Sequence, residues 1–77
     1  MTELEIYYQI ITDEWRLFKK HYGTKKRSVE EWQDIIHDMD AKLACYAGTA
    51  YQPFAVSVLR RLIEELKSIE ERHEDEH

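Results

Sequence analysis

The sequence predicts an all-α fold, an up-down-up three-helix bundle, with a two-helix arrangement completed by dimerisation as the alternative. One proline and two glycines in 77 residues leave few places where a helix has to end. Apolar residues recur at alternating steps of four and three along three segments, and this spacing places them on one helical face. Short connections join the segments, which makes sequential helices antiparallel. A chain of this length forms a single domain, here residues 1–77.

The first helix is predicted over residues 3–22. It opens with "TELE", in which Thr2 can cap the first turn while Glu5 reaches back, a capping box. Gly23 follows the last apolar residue and is a natural stop in the left-handed conformation. The stripe that we predict to face the core consists of Leu4, Tyr8, Ile11, Trp15, Phe18 and Tyr22.

The second helix is predicted over residues 29–47. "SVEE" repeats the capping box with Ser28 and Glu31, and its acidic side chains favour a helix N-terminus because the free N–H groups there carry partial positive charge. The predicted core stripe is equally regular and consists of Trp32, Ile36, Met39, Leu43 and Tyr46.

The third helix is predicted over residues 53–72, after the stretch "GTAYQP". Gly48 can end the second helix, and the fixed dihedral angle of Pro53 suits the first turn of the next one. In a rival register, Thr49 caps the helix and the proline lies one turn inside. We interpret the stretch as a helix–helix corner in either register, and we expect the acidic tail 73–77 to fray. The broad apolar face holds Ala55, Val56, Leu59, Leu62, Ile63, Leu66 and Ile69.

Composition and charge argue against several classes of protein. The formal charge of −5 disfavours a general nucleic-acid binder, because phosphate backbones attract a basic surface. No apolar run reaches the roughly 18 residues that span a bilayer, and the N-terminus begins with acidic residues rather than the basic segment of a signal peptide. The single cysteine, Cys45, suits a reducing compartment. We therefore expect a cytoplasmic protein without membrane contact.

The basic residues are concentrated around the connection after the first helix. Residues 1–28 carry six Lys and Arg against four Asp and Glu, a net charge of +2, whereas residues 29–77 carry five against twelve, a net charge of −7. We predict that Lys25, Lys26 and Arg27 make an electrostatic contact. Their target is an acidic protein surface or, in the alternative of a nucleic-acid-associated regulatory protein, phosphate groups.

The first helix carries more apolar residues than one core stripe needs. Ile6, Ile10 and Leu17 lie on a second side of it, and Tyr7 lies between the two sides. A helix that is apolar on two sides either lies between two others or presents one side to a partner. We predict the second case, in which Ile6, Tyr7, Ile10 and Leu17 form a protein interface for a homo-oligomer or a protein partner.

An acidic cluster at the start of the second helix raises the question of an enzyme. Glu30, Glu31 and Asp34 have a spacing at which carboxylates can hold Mg²⁺ together. The segment "EEWQD" is similar to the all-α nucleotide pyrophosphatases, whose paired EExxE and ExxD helices bind magnesium. No second matching helix follows at the right distance, so a solvated helix start is the preferred interpretation. We predict that the protein is not an enzyme and takes no metal and no cofactor, with a magnesium-dependent nucleotide hydrolase as the third hypothesis.

Three segments spread over most of the chain carry a resemblance to other proteins. They are "EWRLFKKHYG", "EEWQDIIHDMDA" and "FAVSVLRRLIEELKSIEE". Their spacing resembles that of small uncharacterised helical proteins from prophages and mobile elements of Gram-positive bacteria. The resemblance implies an accessory, regulatory or inhibitory factor that acts by binding another protein. The first functional hypothesis is therefore a non-enzymatic protein-interaction module that self-associates or binds a protein partner.

Overall fold

In the computed structural model, which describes residues 1–74, three α-helices follow one another along the chain. They are α1 (Glu3–His21), α2 (Val29–Ala44) and α3 (Gln52–Glu74), and each packs against the other two. The predicted all-α three-helix bundle is confirmed. None of these helices has an apolar stretch long enough to cross a membrane within the described residues. Of the frayed tail predicted for 73–77, the first two residues continue α3, and 75–77 lie outside the described residues.

The order of contacts shows that the helices run up, down and up. Near the start of α1, the ring of Tyr7 makes edge contacts with Tyr51 and Phe54 at the start of α3, at centroid distances of 5.4 and 5.0 Å. Further along α1, Oδ2 of Asp13 lies 3.5 Å from Nζ of Lys42, near the end of α2. α1 and α3 are therefore parallel to each other, and α2 is antiparallel to both.

The predicted capping residues begin α1 and α2. The hydroxyl of Thr2 accepts a hydrogen bond from the N–H of Glu5 at 3.2 Å and donates to the Glu5 carboxylate at 3.0 Å. At α2 the capping box is complete, because the Ser28 hydroxyl accepts from the N–H of Glu31 and the Glu31 carboxylate accepts from the N–H of Ser28, both at 3.1 Å. Each cap satisfies N–H groups that have no partner inside the first turn.

The end of α1 differs from the prediction. Gly23 does not adopt the left-handed conformation; Gly48 is the glycine with a positive φ. The helix ends at His21, and Tyr22 follows with an extended ψ of 137°. Nη2 of Arg27 donates to the carbonyls of His21 at 2.9 Å and Gly23 at 3.1 Å. The guanidinium therefore satisfies carbonyl groups that a left-handed glycine would otherwise help to satisfy.

The stretch between α2 and α3 is a corner held by local hydrogen bonds. α2 ends at Ala44, earlier than the predicted residue 47, and turns carry the chain onward. Gly48 has a φ of 75°, which costs a glycine little because it has no Cβ. Its N–H donates to Oε1 of Gln52 at 3.2 Å, and the Thr49 hydroxyl donates to the carbonyl of Tyr46 at 2.7 Å. These bonds satisfy the backbone of the corner without a ligand.

The core has two neighbouring clusters of buried side chains. Leu43, near the end of α2, packs against both and joins them. The first cluster lies where the starts of α1 and α3 meet the end of α2, and the second lies between α2 and the middle of α3. The buried members are Ile10, Tyr46 and Ala55 in the first cluster, and Ile35, Met39, Leu59 and Leu66 in the second.

Candidate functional site

The four residues predicted as an exposed interface pack against the other helices instead. Ile10 is fully buried, with 0% of its surface exposed. Ile6 packs against the first core cluster and Leu17 against the second. The ring of Tyr7 packs against Tyr51, just before α3, and Phe54, in its first turn. This side of α1 belongs to the core of the chain, which corrects the assignment of Ile6, Tyr7, Ile10 and Leu17 to an exposed surface.

The stripe of α1 that was expected to face the core faces solvent. Five of its six side chains are more than half exposed, and Phe18 is partly buried against the second core cluster. The assignment of this stripe to the core is therefore wrong. We call these residues the α1 stripe: Leu4 (80% exposed), Tyr8 (71%), Ile11 (53%), Trp15 (54%), Phe18 and Tyr22 (56%).

The chemistry of the side chains explains which side of α1 is buried. Isoleucine and leucine have no polar side-chain atoms, so Ile10 and Leu17 lose nothing when water is removed from them. Tyrosine and tryptophan carry a hydroxyl or an indole N–H, which needs a hydrogen-bond partner when it is buried. The observed rotation of α1 leaves these polar groups accessible to water. The same rotation buries the carboxyl of Glu14, which costs free energy of folding when that group is ionised.

The second half of the α1 stripe is a continuous aromatic surface. The rings of Trp15 and Phe18 are stacked with centroids 5.9 Å apart, and Tyr22 extends the row at 6.3 Å from Phe18. Nζ of Lys19 lies 5.8 Å from the centroid of the Trp15 ring, a cation–π distance. These four side chains line a shallow surface depression. Tryptophan and tyrosine are enriched among the residues that contribute most to protein–protein binding.

The α1 stripe is large for a chain of this length. A tyrosine or tryptophan that is more than half exposed leaves roughly 100 Å² of side chain in water. The whole stripe therefore exposes on the order of 500 Å². The largest apolar patch of a typical monomeric protein is roughly 300–600 Å² and is often a functional surface.

The three residues predicted to make an electrostatic contact do not share one environment. Lys25 and Lys26 are exposed, whereas Arg27 is buried and only 8% exposed. The loop borders a cavity of about 450 Å³ whose lining also includes Glu31 and Asp34, so cations and carboxylates face the same space. Arg27 is therefore corrected from a surface contact to an interior residue, and the two lysines remain as accessible charges.

Arg27 joins all three helices at one end of the bundle. Its Nη1 donates to the carbonyl of Leu66 at 3.3 Å and lies 3.5 Å from Oε1 of Glu70. Its backbone N–H donates to the same carboxylate oxygen. The guanidinium also lies 5.3 Å from the centroid of the Trp32 ring on α2. Together with the bonds to the end of α1, these contacts make Arg27 a structural residue that sequence reasoning assigned to the surface.

Two basic side chains at the end of α1, Lys20 and His21, are paired with a carboxylate of the same chain. Nζ of Lys20 lies 2.8 Å and Nε2 of His21 lies 2.7 Å from Oδ2 of Asp38 on α2. The hydrogen bond from Lys20, followed by that from His21, holds the pKa of the Asp38 carboxyl below its usual range. These pairs fix the end of α1 against α2 and leave Lys19 at the edge of the α1 stripe.

The residues considered for magnesium lie on the exposed side of α2. Glu30, Glu31 and Asp34 are all exposed. The carboxylate of Glu31 accepts the capping hydrogen bond from Ser28, and the next acid along the helix, Asp38, is held by Lys20. Across residues 1–74, no group of three or more His, Cys, Asp or Glu side chains is placed to hold a metal ion. The structure does not bring the three carboxylates together as a site.

Glu14 is a buried carboxyl on the core side of α1. It is 1% exposed, and neither of its carboxyl oxygens has a hydrogen-bond partner among the described residues. Burial, and to a smaller extent the neighbouring charge of Asp13, raises its pKa from 4.5 to about 7. Ionisation of Glu14 therefore opposes folding near neutral pH.

Replacing Glu14 by Gln is expected to stabilise the protein at about pH 8 and to change little at about pH 4.5. Because the pKa is higher in the folded chain, the folded state binds more protons between about pH 4.5 and 7, and stability falls as the pH rises through this range. At about pH 8 the buried carboxylate lowers the free energy of unfolding of the wild type by about 3 kcal/mol. Urea unfolding of both proteins at the two pH values measures it.

Glu3→Gln provides the matched control, since Glu3 is an exposed carboxyl on the same helix. We expect this variant to follow the pH dependence of the wild type. Equal pH dependence in Glu14→Gln and the wild type would show that the buried carboxyl does not oppose folding.

Comparison of the chain with models of protein families, with curated proteins and with solved structures finds no match. The resemblance to small prophage proteins stays a prediction.

Proposed function

We propose that this protein is a protein-interaction module that binds a helix of another polypeptide through the α1 stripe. The observation that carries the proposal is the exposure of five large apolar side chains along one side of one helix. The sequence also predicts an interaction function, but on the side of α1 that is buried. The proposed binding surface is the exposed side of the same helix. Tyr8, Trp15 and Tyr22 supply the aromatic contacts.

The spacing of the α1 stripe favours a helix as its ligand. The residues alternate at steps of four and three, the 3.5-residue repeat at which two helices coil around each other. An apolar stripe this narrow is typical of the contact between two helices, whereas a helix that faces a globular core has a broader one. In heptad terms, Tyr8 and Trp15 occupy a positions and Leu4, Ile11 and Phe18 occupy d positions. Tyr22, the residue that follows the end of α1, stands where the next a position falls.

The energetics are sufficient for association. Covering about 500 Å² on each of two apolar surfaces contributes at most on the order of 25 kcal/mol, and buried area converts to affinity between proteins at a much lower rate. Association costs roughly 4–15 kcal/mol in lost translational and rotational freedom, and ordering of side chains adds to this cost. The surplus supports binding of useful affinity, provided that the ligand is complementary in shape.

Ile11→Asp is expected to abolish binding while leaving the fold intact. Ile11 is 53% exposed in the middle of the α1 stripe, so an aspartate there stays solvated in the free protein and loses water only in a complex. Ile36→Asp is the matched control, because Ile36 is 49% exposed but lies on α2. Light scattering and capture from the source cells, with circular dichroism as the check on folding, compare the two variants with the wild type.

The same pair of variants separates two surfaces. Ile36 belongs to a groove between α2 and α3 that is also lined by Val56 and Ile63. If Ile36→Asp loses the complexes of the wild type and Ile11→Asp keeps them, the binding surface is this groove and the proposal for the α1 stripe is wrong.

A further inference from the structure

We infer that the helix covering the α1 stripe is α1 of a second copy of this chain, laid antiparallel to the first. The inference rests on the proposed function of the stripe as a binding surface and identifies its occupant. Two properties of α1 favour this arrangement: the order of side-chain sizes along the stripe, and the distribution of charge along its edge.

The α1 stripe is complementary to itself when one copy is reversed. Placing Ile11 opposite Trp15 of the second copy brings Tyr8 opposite Phe18 of that copy in the same register. The ends then also match, with Leu4 opposite Tyr22 of the second copy. Each residue of the stripe has one partner, and the bulky tryptophan and the outermost tyrosine each meet an aliphatic side chain, which favours interdigitation. A parallel pair would instead place Trp15 against Trp15 and Tyr22 against Tyr22.

The charges along α1 favour the same orientation. The first turn is acidic, with Glu3 and Glu5, and the last turn presents the exposed cation of Lys19, while Lys20 and His21 contact Asp38 of α2 in the same chain. Reversing one copy places acidic turns beside basic turns and also opposes the two helix dipoles favourably. A parallel pair would bring like charges together at both ends.

One pair of exposed charges is expected to cross the interface twice. Glu5 and Lys19 are exposed, are separated by two heptads, and therefore lie along the same edge of the stripe. In the antiparallel register, Glu5 of each copy comes within about 3 Å of Lys19 of the other copy along the helix axis. In a parallel pair these residues would be about 21 Å apart along the axis. The ion pair therefore distinguishes the two orientations.

The area of the stripe sets the strength of the dimer. A stable protein interface buries roughly 800 Å² on each partner. The α1 stripe supplies on the order of 500 Å², and the aliphatic stems of the edge residues add to it. The contact is thus at the small end of specific interfaces, for which a dissociation constant of about micromolar order is expected.

Charge reversal tests the antiparallel pair in the full-length protein. Glu5→Lys places lysine beside lysine at both ends of the dimer and is expected to raise the dissociation constant about tenfold. Glu3→Lys is the control for the charge change in the same turn, away from the edge of the stripe, and is expected to raise the dissociation constant less than about twofold. Glu5→Lys also loses the hydrogen bond from the Thr2 hydroxyl, and the helical signal of each variant measures that loss. The double variant Glu5→Lys/Lys19→Glu is expected to return within about threefold of the wild type. Light scattering across concentration, with circular dichroism on every variant, measures all four proteins.

The outcomes separate failure of the inference from failure of the proposed function. A wild-type chain that keeps the 9.3 kDa mass of a monomer up to about 1 mM overturns self-pairing, and the Ile11→Asp comparison then decides whether the stripe binds another protein. A dimer that Ile11→Asp dissociates but that Glu5→Lys leaves unchanged overturns the antiparallel register. A dimer that survives Ile11→Asp overturns both the inference and the role of the α1 stripe.

Discussion

Ile10→Asp is expected to unfold the protein, whereas Ile11→Asp, one residue further along, leaves it folded. Ile10 is a completely buried residue of α1 that packs against Tyr46 in the corner and Ala55 on α3. An aspartate there loses its water without gaining a partner. The cost exceeds about 4 kcal/mol. A domain of this size has a total free energy of unfolding of roughly 4–12 kcal/mol, so the substitution removes at least about a third of the stability and, at the lower end of this range, all of it. Ile11 is half exposed, and aspartate there costs about 0.5 kcal/mol of helix propensity.

Urea unfolding followed by circular dichroism measures both variants. Ile10→Val is a milder comparison, because it removes one buried methylene and is expected to cost about 1 kcal/mol. A graded series from Val to Asp at this position, with little change at Ile11, supports the observed rotation of α1. If Ile10→Asp unfolds at the same urea concentration as the wild type, this side of α1 is not the core.

Arg27→Ala is expected to destabilise the bundle by about 3–5 kcal/mol. The substitution leaves the Glu70 carboxylate buried without its cation, and it removes the donors to the carbonyls of His21, Gly23 and Leu66. Breaking one side of a buried ion pair is costly because the remaining charge has been removed from water. The loss falls on the end of the bundle where all three helices meet.

Lys26→Ala is the natural control for Arg27→Ala, since it removes the adjacent positive charge from an exposed side chain. We expect it to change stability by less than about 0.5 kcal/mol. Arg27→Lys should lie between the two, because lysine keeps the charge but lacks the planar fork that reaches several acceptors. Thermal unfolding of the three variants ranks them. Equal stability of Arg27→Ala and Lys26→Ala would show that the guanidinium contacts contribute nothing.

The features predicted correctly from the sequence are those set by local chemistry. Thr2 and Ser28 mark helix starts because a hydroxyl before a glutamate three residues on satisfies free N–H groups whatever surrounds it. Gly48 marks the corner because the left-handed conformation costs other residues more. The end of α1 was not predictable in this way. Its cap comes from Arg27, and the position of that side chain depends on Glu70, which is far away in the sequence.

The face of α1 was predicted the wrong way round for a physical reason. Periodicity reports that a helix has an apolar side, but it does not report which of two apolar sides contacts the rest of the same chain. The regular stripe was assigned to the core, yet a strict step of four and three is typical of contacts between helices rather than of a broad core face. The residue types on the two sides differ. Ile10 and Leu17 are aliphatic, whereas Tyr8, Trp15 and Tyr22 carry polar groups that suit a surface, and this difference favours the side that is in fact exposed.

Arg27 was missed because it stands in a run of basic residues that indicates a solvated loop. Two signals were present. Arg27 immediately precedes the cap Ser28, where a side chain can turn back against the bundle, and Glu70 follows Leu66 by four residues, which places a carboxylate on the apolar face of α3. Neither signal alone identifies the pair, since only the packed structure brings the loop to the end of α3.

The parallel arrangement of α1 and α3 has a consequence for the way the chain is made. The contacts of Ile10 with Ala55, and of Arg27 with Leu66 and Glu70, join α1 and the loop after it to α3, which is synthesised later than both. Until α3 has been synthesised, the nascent chain lacks part of the cover for the aliphatic side of α1, so that side stays partly in water together with the α1 stripe. The bundle is therefore complete only after α3 has been synthesised, and a truncated product without α3 is expected to be a target for chaperones and proteases.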